Sequence, residues 1–298
     1  MKKLTFRQKQ DLTMNSFTIP AVILFSMFVL VPLGRGIFLS FTNWNGYSQH
    51  YKMVGLKNFI RLFKDQNVLR AFTNTLFYGI GSTVIQNIFG LLFALFLNHE
   101  FRGRNLGRTI IYLPVMIAPL IMGYIMYFFF TLGGAINQIP FFAALNDGMA
   151  IDWLSNANRG VAIMTYINSW QFVGISMVIY LAGLQGIPGM YYEAANLEGC
   201  SSWNLFTHIT FPLLSPAVNS AVVLNLIGGL KLFDVIMALT KGGPGYDTHS
   251  LSTLVNRTYF GSENAGYAAA IGLVMFIIIM ILSFIVTNLL NKYQEEMS

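Results

Sequence analysis

Six long apolar runs dominate the sequence, and most polar residues lie in the stretches between them. We place these runs at residues 17–41, 71–97, 109–131, 160–183, 213–239 and 266–290. A helix rising ~1.5 Å per residue needs about 20 residues to cross ~30 Å of hydrocarbon, and each run is that long. The runs are apolar on every side, whereas the strands of a membrane barrel alternate. The pattern therefore predicts an all-α membrane protein with six transmembrane helices.

The composition agrees with a membrane protein. The chain has 298 residues, of which 55% are hydrophobic and 10% are charged, whereas soluble domains carry about 25% charged residues. The first run follows a cationic stretch, but it is too long for a secretory signal and lacks a small-residue cleavage site. We therefore expect it to remain as the first transmembrane helix. Kinks are expected at the prolines within or near the runs, which are Pro20, Pro32, Pro114 and Pro119.

An even number of spans places both ends of the chain on one side of the membrane. The lysines and arginines outside the spans divide evenly between the two sides, so their total does not decide the orientation. The first helix usually dominates, and the cationic tail before it favours a cytoplasmic N-terminus. The sequence thus predicts an N-in, C-in topology with cytoplasmic tails at 1–16 and 291–298.

The segment 42–70 lies outside the membrane in this topology and mixes cations with apolar side chains. One interpretation is a helix lying among the lipid headgroups. The other is an amphipathic connector that packs on its own bundle. The two interpretations are compatible.

The sequence offers no residues for catalysis or metal binding. Cys200 is the only cysteine, so no internal disulfide is possible. The four histidines are far apart, and none has metal-ligand spacing to another histidine or to Cys200. Enzyme motifs and the phosphate-binding Gly-x-x-x-x-Gly-Lys-Ser/Thr motif are absent, so any ATP must be hydrolysed by another chain. No basic block with interleaved aromatic residues predicts a nucleic-acid partner.

The stretch between the fourth and fifth runs, residues 185–216, has a different character. Pro188-Gly189 is a turn signal, and the residues up to Leu197 favour a short helix. Gly199 can adopt positive φ and end that helix, while Ser201 or Ser202 can begin a second one. The pattern predicts a helix, a sharp bend and a helix on the cytoplasmic side, with exposed glutamates and no lysine or arginine.

This stretch resembles the EAA motif of inner-membrane permeases in ATP-binding-cassette (ABC) importers. The matching residues are Glu193-Ala194-Ala195, Gly199 and Ile209-Thr210-Phe211-Pro212. Phe211 replaces the usual leucine and Cys200 a common alanine, and both changes are conservative. Further segments at matching positions make the domain 71–290 similar to permeases of the maltose and glycerol-phosphate type. Those segments are Asn74-Thr75-Leu76, Phe101-Arg102-Gly103-Arg104, Tyr112-Leu113-Pro114, Leu184-Gln185-Gly186-Ile187-Pro188, Leu232-Phe233-Asp234, Leu239-Thr240-Lys241-Gly242-Gly243-Pro244 and Gly266-Tyr267-Ala268-Ala269-Ala270.

The resemblance implies that the loop is a coupling element seated in a cytoplasmic ATPase, where Glu193 meets a basic residue. The expected coupling residues are Glu193, Ala194, Ala195, Leu197, Glu198, Gly199, Trp203, Phe206 and Pro212. The chain itself would bind no cofactor, because ATP and magnesium belong to the ATPase.

The same resemblance implies an assembly in a bacterial-type inner membrane. The expected partners are a second permease subunit, an ATPase dimer, an extracytoplasmic solute-binding protein, a carbohydrate substrate and the lipid bilayer. A heterodimer of permeases is the expectation, and a homodimer stays open. A permease for another solute class, or a secondary transporter, is the alternative function.

Polar residues inside spans are costly and suggest a substrate pathway. We expect Asn168, Gln171 and Asn225 to offer hydrogen bonds to sugar hydroxyls, and Trp170 to stack on a sugar ring. The alternative for each is a polar contact between helices.

Two charged residues, Lys231 and Asp234, lie three positions apart near the outer end of the fifth span. On a continuous helix they would share one face, which predicts a structural ion pair more than a sugar contact.

Overall fold

The computed structural model describes residues 18–144 and 149–297, and all of its regular elements are helices. The predicted cytoplasmic tail 1–16 lies outside the described residues. We number the helices α1 to α14 along the chain. Their bounds are Thr18–Ser40 (α1), Lys57–Leu62 (α2), Gln66–Asn98 (α3), Arg104–Tyr112 (α4), Pro119–Phe130 (α5), Pro140–Ala144 (α6), Ala157–Gln185 (α7), Gly189–Leu197 (α8), Ser202–Leu205 (α9), Phe211–Leu213 (α10), Ser215–Leu230 (α11), Asp234–Leu239 (α12), Leu251–Asn256 (α13) and Ala265–Met297 (α14).

Within the described residues, six helical segments are long and apolar enough to cross a membrane, which confirms the predicted architecture. Two spans follow the connection between the fourth and fifth spans, so this connection lies on the same side of the membrane as the C-terminus. The spans are Thr18–Ser40, Gln66–Asn98, Pro119–Gln138, Ala157–Gln185, Ser215–Leu239 and Ala265–Lys292.

The third span differs from the continuous helix predicted at 109–131. A separate helix, α4, is followed by a short 3-10 turn over Leu113–Met116, and the span itself begins only at Pro119. Proline disfavours helical geometry in the residue before it, and Ala118 has extended backbone angles of φ −55 and ψ 132. Pro119 thus breaks the helix instead of merely kinking it, whereas Leu113 before Pro114 keeps helical angles of φ −54 and ψ −41.

The fifth span also differs from the prediction, because its helix is interrupted. α11 ends at Leu230 and α12 starts at Asp234. Backbone bonds from Lys231 N to Ile227 O (3.2 Å) and from Leu232 N to Gly229 O (3.2 Å) satisfy the interrupted region. Polar backbone groups at membrane depth need such internal partners because lipid offers none.

The centre of the bundle is the contact between α3 and α7, where glycines allow close approach. A Cβ atom at Gly90 would overlap Ser176 Cβ, and one at Gly229 of α11 would overlap Ser82 on α3. Small residues are the usual means of close packing between membrane helices, since lipid provides no hydrophobic force between them. Apolar side chains from α3, α7 and α11 then fill the space on the side of the C-terminus, including Leu97, Met177 and Ala221.

On the outer side, the connection between the fifth and sixth spans is tied to α3 by hydrogen bonds. Asn74 Nδ2 donates to Asp247 O (2.7 Å) and to His249 O (3.0 Å). Tyr78 Oη donates to Thr248 O (2.9 Å). These buried bonds fix the outer connection to the bundle, so it moves with α3.

The outer segment 42–70 packs on the bundle and also presents apolar side chains outward. Thr42 and Met53 form an antiparallel bridge, and Leu62 of α2 is buried against α14. Ile60 and Phe63 are exposed. The segment therefore packs on its own bundle, as one interpretation predicted, while its place among lipid headgroups stays a prediction.

We predict that Gly90→Ala destabilises the protein by about 1–3 kcal/mol, because the added methyl group overpacks the α3–α7 contact. The matched control is Gly36→Ala in α1, where a Cβ meets no atom within 4 Å. Alanine also favours helix over glycine by about 1 kcal/mol at both sites. Thermal unfolding of the purified protein in detergent measures both variants. Equal midpoints would contradict this description of the core.

Candidate functional site

The loop between the fourth and fifth spans begins with α8, which ends in a defined turn. Cys200 N donates to Ala195 O (3.0 Å) and Gly199 N donates to Asn196 O (3.1 Å). Gly199 has φ +70. These are the two bonds and the left-handed residue of a Schellman motif. The sequence prediction of a glycine-ended helix is confirmed, and the chain turns sharply at residue 199.

The second half of the loop returns the chain to the bundle. Ser201 Oγ accepts from Asn204 N (3.4 Å) and caps α9, as predicted. Thr210 and Leu214 are buried, and Leu214 belongs to the apolar cluster of α3 and α7. Pro212 lies in the first turn of α10. The loop is thus a folded unit with fixed ends.

The tip of this unit presents large apolar side chains and two acids to solvent. Leu197 is 89% exposed and Trp203 is 71% exposed. Glu193 and Glu198 are exposed as well, whereas Phe206 is half-buried. An exposed apolar cluster outside the bilayer is characteristic of a surface that binds another protein.

Not every predicted loop residue lies on this surface. Ala194 is exposed, but Ala195 is only 8% exposed and packs inward. Met190 and Tyr191 were missed by the sequence reasoning, although both are exposed at the start of α8. Their apolar character next to the turn Pro188-Gly189 was the available signal.

A cleft of about 420 Å³ opens among α3, α7, α11 and α12. Four of the six residues predicted for a substrate pathway line it, namely Asn168, Asn225, Lys231 and Asp234. Phe172 and Gln86 also line it. Gln86 was not predicted, although a polar residue inside the second span met the same criterion as the others.

Amide groups give the cleft its hydrogen-bonding capacity. Gln86 Nε2 donates to Asn168 O (3.2 Å), while Gln86 Oε1 is buried without a partner. Asn225 Nδ2 donates to Ser176 Oγ (2.7 Å). The carbonyl oxygen of Gln86 is therefore an unsatisfied acceptor in the wall of the cleft.

The other two predicted pathway residues do not line the cleft. Gln171 is fully buried and donates from Nε2 to Ile117 O (2.9 Å), near the break before α5. Trp170 is 40% exposed on another face of α7. Substrate contact by these two side chains stays a prediction.

The predicted ion pair between Lys231 and Asp234 is wrong. No carboxylate of the described residues lies within ion-pair distance of Lys231. The helix ends between the two residues, so they do not share a helical face. Lys231 instead follows the C-terminus of α11, and Asp234 is the first residue of α12. Each charge is favourable at its own helix end, where the helix dipole has the opposite sign.

The family model described as "Binding-protein-dependent transport system inner membrane component" matches residues 86–295. The probable starch degradation products transport system permease protein AmyD of Thermoanaerobacterium thermosulfurigenes is 34% identical, over 94% of each chain. The multiple sugar-binding transport system permease protein MsmF of Streptococcus mutans is 33% identical, over 94% of this chain and 95% of that protein.

A solved structure shares the fold. It is a bacterial alginate ABC transporter in complex with an alginate pentasaccharide-bound periplasmic protein. The TM-score is 0.80 at 23% identity, with 96% of each chain covered. The folded loop and the cleft therefore lie within an established membrane architecture.

Proposed function

Because the chain belongs to the family of binding-protein-dependent transport system inner membrane components, we propose that it carries a sugar or oligosaccharide across a bacterial-type inner membrane. It is the membrane-spanning permease subunit of an ABC importer, and the ATPase is a separate chain. A secondary transporter is therefore the wrong class. ATP and magnesium are bound by that ATPase, and the present chain holds no cofactor.

The exposed loop is the observation that carries this proposal. Leu197 and Trp203 lie in solvent and are not buried by their own bundle. Exposed apolar side chains of this kind are typical of a surface that binds a partner protein. The acids beside it, with no lysine or arginine from 185 to 216, fit a basic cleft. We assign Glu193 to a charge-assisted hydrogen bond there, and the apolar side chains to the centre of the interface.

The packing at the base of the loop gives a route for motion. A Cβ at Gly183 would lie 2.7 Å from Ala217 Cβ, so α7 and α11 are in close contact where the loop joins them. Both helices extend to the cleft, where they contribute Asn168 and Asn225. When the ATPase closes on ATP and moves the loop, α7 and α11 move with it as rigid bodies, and the cleft changes its access.

The substrate assignment is supported by the cleft and by the relatives. Amides with spare acceptors and an aromatic side chain suit the hydroxyls and apolar faces of a sugar. One relative is named for starch degradation products and another for multiple sugars. A permease for a different solute class is the alternative, and substrate competition in an uptake assay separates the two.

The assembly follows from the number of coupling loops. One loop per chain fits one cleft of an ATPase dimer, so a second permease is required to occupy the other. We propose a heterodimer of permeases with two ATPase copies and an extracytoplasmic solute-binding protein. The description of the family itself names dependence on a binding protein.

We predict that Glu193→Lys lowers recovery of the ATPase with this chain by about tenfold or more, since a like charge would face the basic cleft. Glu100→Lys is the matched control. Glu100 is exposed on the same side of the membrane and pairs with Arg104 at 3.3 Å, an exposed contact worth about 1 kcal/mol at most. Affinity purification after co-expression with the neighbouring genes gives the ratio of ATPase to permease. Equal losses, or none, would contradict the coupling role.

The bend at Gly199 provides an independent test. Gly199→Val forces a branched side chain into positive φ, whereas Gly199→Asn tolerates it. Space is not the obstacle, because a Cβ at Gly199 meets nothing within 4 Å. We expect the valine variant to lose ATP-driven uptake and the asparagine variant to retain it. Loss in both variants would point to a requirement other than the bend.

For the cleft we predict that Asn225→Ala raises the KM for sugar uptake about three- to tenfold, which corresponds to about one neutral hydrogen bond. Asn219→Ala is the control, because Asn219 lies on the same helix and donates to Asn291 outside the cleft. Uptake of radiolabelled sugar into proteoliposomes measures both. An unchanged KM in Asn225→Ala would remove this residue from the substrate site.

A further inference from the structure

The outer face of the protein contains a groove formed by two pockets that meet at Tyr246 and Ser262. One pocket has a volume of about 100 Å³ and is lined by Arg61 and Tyr267. The other has a volume of about 410 Å³ and is lined by Lys241 and Arg257. Lining residues come from α2, from α13 and α14, and from the connection before α13. We call this feature the outer groove.

Two arginines of the outer groove are held by tyrosine rings. The Arg61 guanidinium carbon lies 4.2 Å from the centroid of the Tyr267 ring. That of Arg257 lies 4.0 Å from the centroid of the Tyr246 ring. Such stacking fixes the guanidinium plane. Arg257 Nη1 also donates to Gly245 O (3.5 Å), and the remaining N–H groups of the two arginines can bind a planar anion.

The residues that line the groove carry more positive than negative charge. No carboxylate of the described residues lies within ion-pair distance of Arg61, Lys241 or Arg257. Among the residues that the structure describes, Asp65 is the only acid lining either pocket, and it accepts a hydrogen bond from Tyr267 Oη (2.9 Å). Asp247 and Glu263 are exposed nearby but line neither pocket.

A buried histidine in the same pocket is consistent with this positive field. His249 is 1% exposed, and its Nε2 has no hydrogen-bond partner. Burial, and after it the charge of Arg257, lower the pKa of His249 to about 4. The ring is therefore neutral at physiological pH, and the cationic groups of the groove are the arginines and Lys241.

We infer that the outer groove binds acidic side chains on the surface of the solute-binding protein. The groove lies on the side opposite the coupling loop, the side on which that protein arrives. Preorganised guanidinium groups match carboxylates in a bidentate manner. The connection that carries Arg257 is hydrogen-bonded to α3 through Asn74 and Tyr78. Docking in the groove therefore acts on α3, which lines the cleft through Gln86. This inference rests on the proposed function, because it needs a binding-protein-dependent importer.

The test uses the complete transporter in nanodiscs of neutral lipid and its fluorescently labelled solute-binding protein. We expect Arg257→Gln and Arg61→Gln each to raise the dissociation constant about tenfold, and to weaken its dependence on salt. Arg159→Gln is the matched control. Arg159 is exposed on the same face and lies near an aromatic ring, 5.9 Å from the centroid of Trp153, but outside the groove. Its dissociation constant should stay within about twofold of the unsubstituted value.

Several outcomes would overturn the inference. Equal affinity in all three variants, or an equal loss in Arg159→Gln, would show that the groove is not the docking site. Loss of the second permease from Arg257→Gln preparations would make the groove a subunit interface. Loss of binding rescued by anionic lipid would make it a headgroup site.

Failure of the binding protein to bind the unsubstituted complex would instead count against the proposed function. Rescue of Arg257→Glu by an acid-to-lysine change in the binding protein would identify the contacting pair.

Discussion

The fold depends on one constraint, which is that a chain inside a bilayer must satisfy its backbone hydrogen bonds without water. Long helices meet that constraint in four of the six spans. The other two differ, because regular helix is interrupted at residues 113–118, just before the third span, and at 231–233 within the fifth. Both interruptions border the cleft, which is lined by Pro119 on one side and Lys231 on the other. Irregular backbone at membrane depth is tolerated where it lines a cavity, and here the interruptions help to define one.

This constraint also explains which features the sequence could predict. A helix in lipid must be apolar, so the apolar runs predicted the number of spans. The different composition between the fourth and fifth runs predicted the loop 185–216. Within the loop the sequence also predicted the roles of single residues, because Gly199 can adopt positive φ and Ser201 can cap a helix. Interruptions were harder, since a run stays apolar whether or not its helix is continuous. Pro119 was the available signal, and it breaks the helix where the sequence predicted only a kink.

The error at Lys231 and Asp234 has the same origin. Spacing of three residues predicts an ion pair only on an unbroken helix, and the break gives each charge a separate helix end instead. The cleft was predicted in part because amides inside spans are rare and costly. Gln86 met that criterion and was overlooked, whereas Gln171 met it and turned out to bond a backbone carbonyl at the other break. Which polar residues share a cavity depends on helix rotation, which a single sequence does not report.

Crosslinking at the exposed loop is the most direct test of its role in energy coupling. A photoreactive amino acid at Leu197, activated in cells that express the neighbouring genes, should yield a covalent adduct that mass spectrometry identifies as an ABC ATPase. The control position is Leu106, which is 65% exposed on α4 at the same side of the membrane but lies outside the loop. The account predicts the ATPase adduct at Leu197 and its absence at Leu106. Adducts only with lipid at Leu197, or equal ATPase adducts at both positions, would contradict the role of the loop as the site of energy coupling.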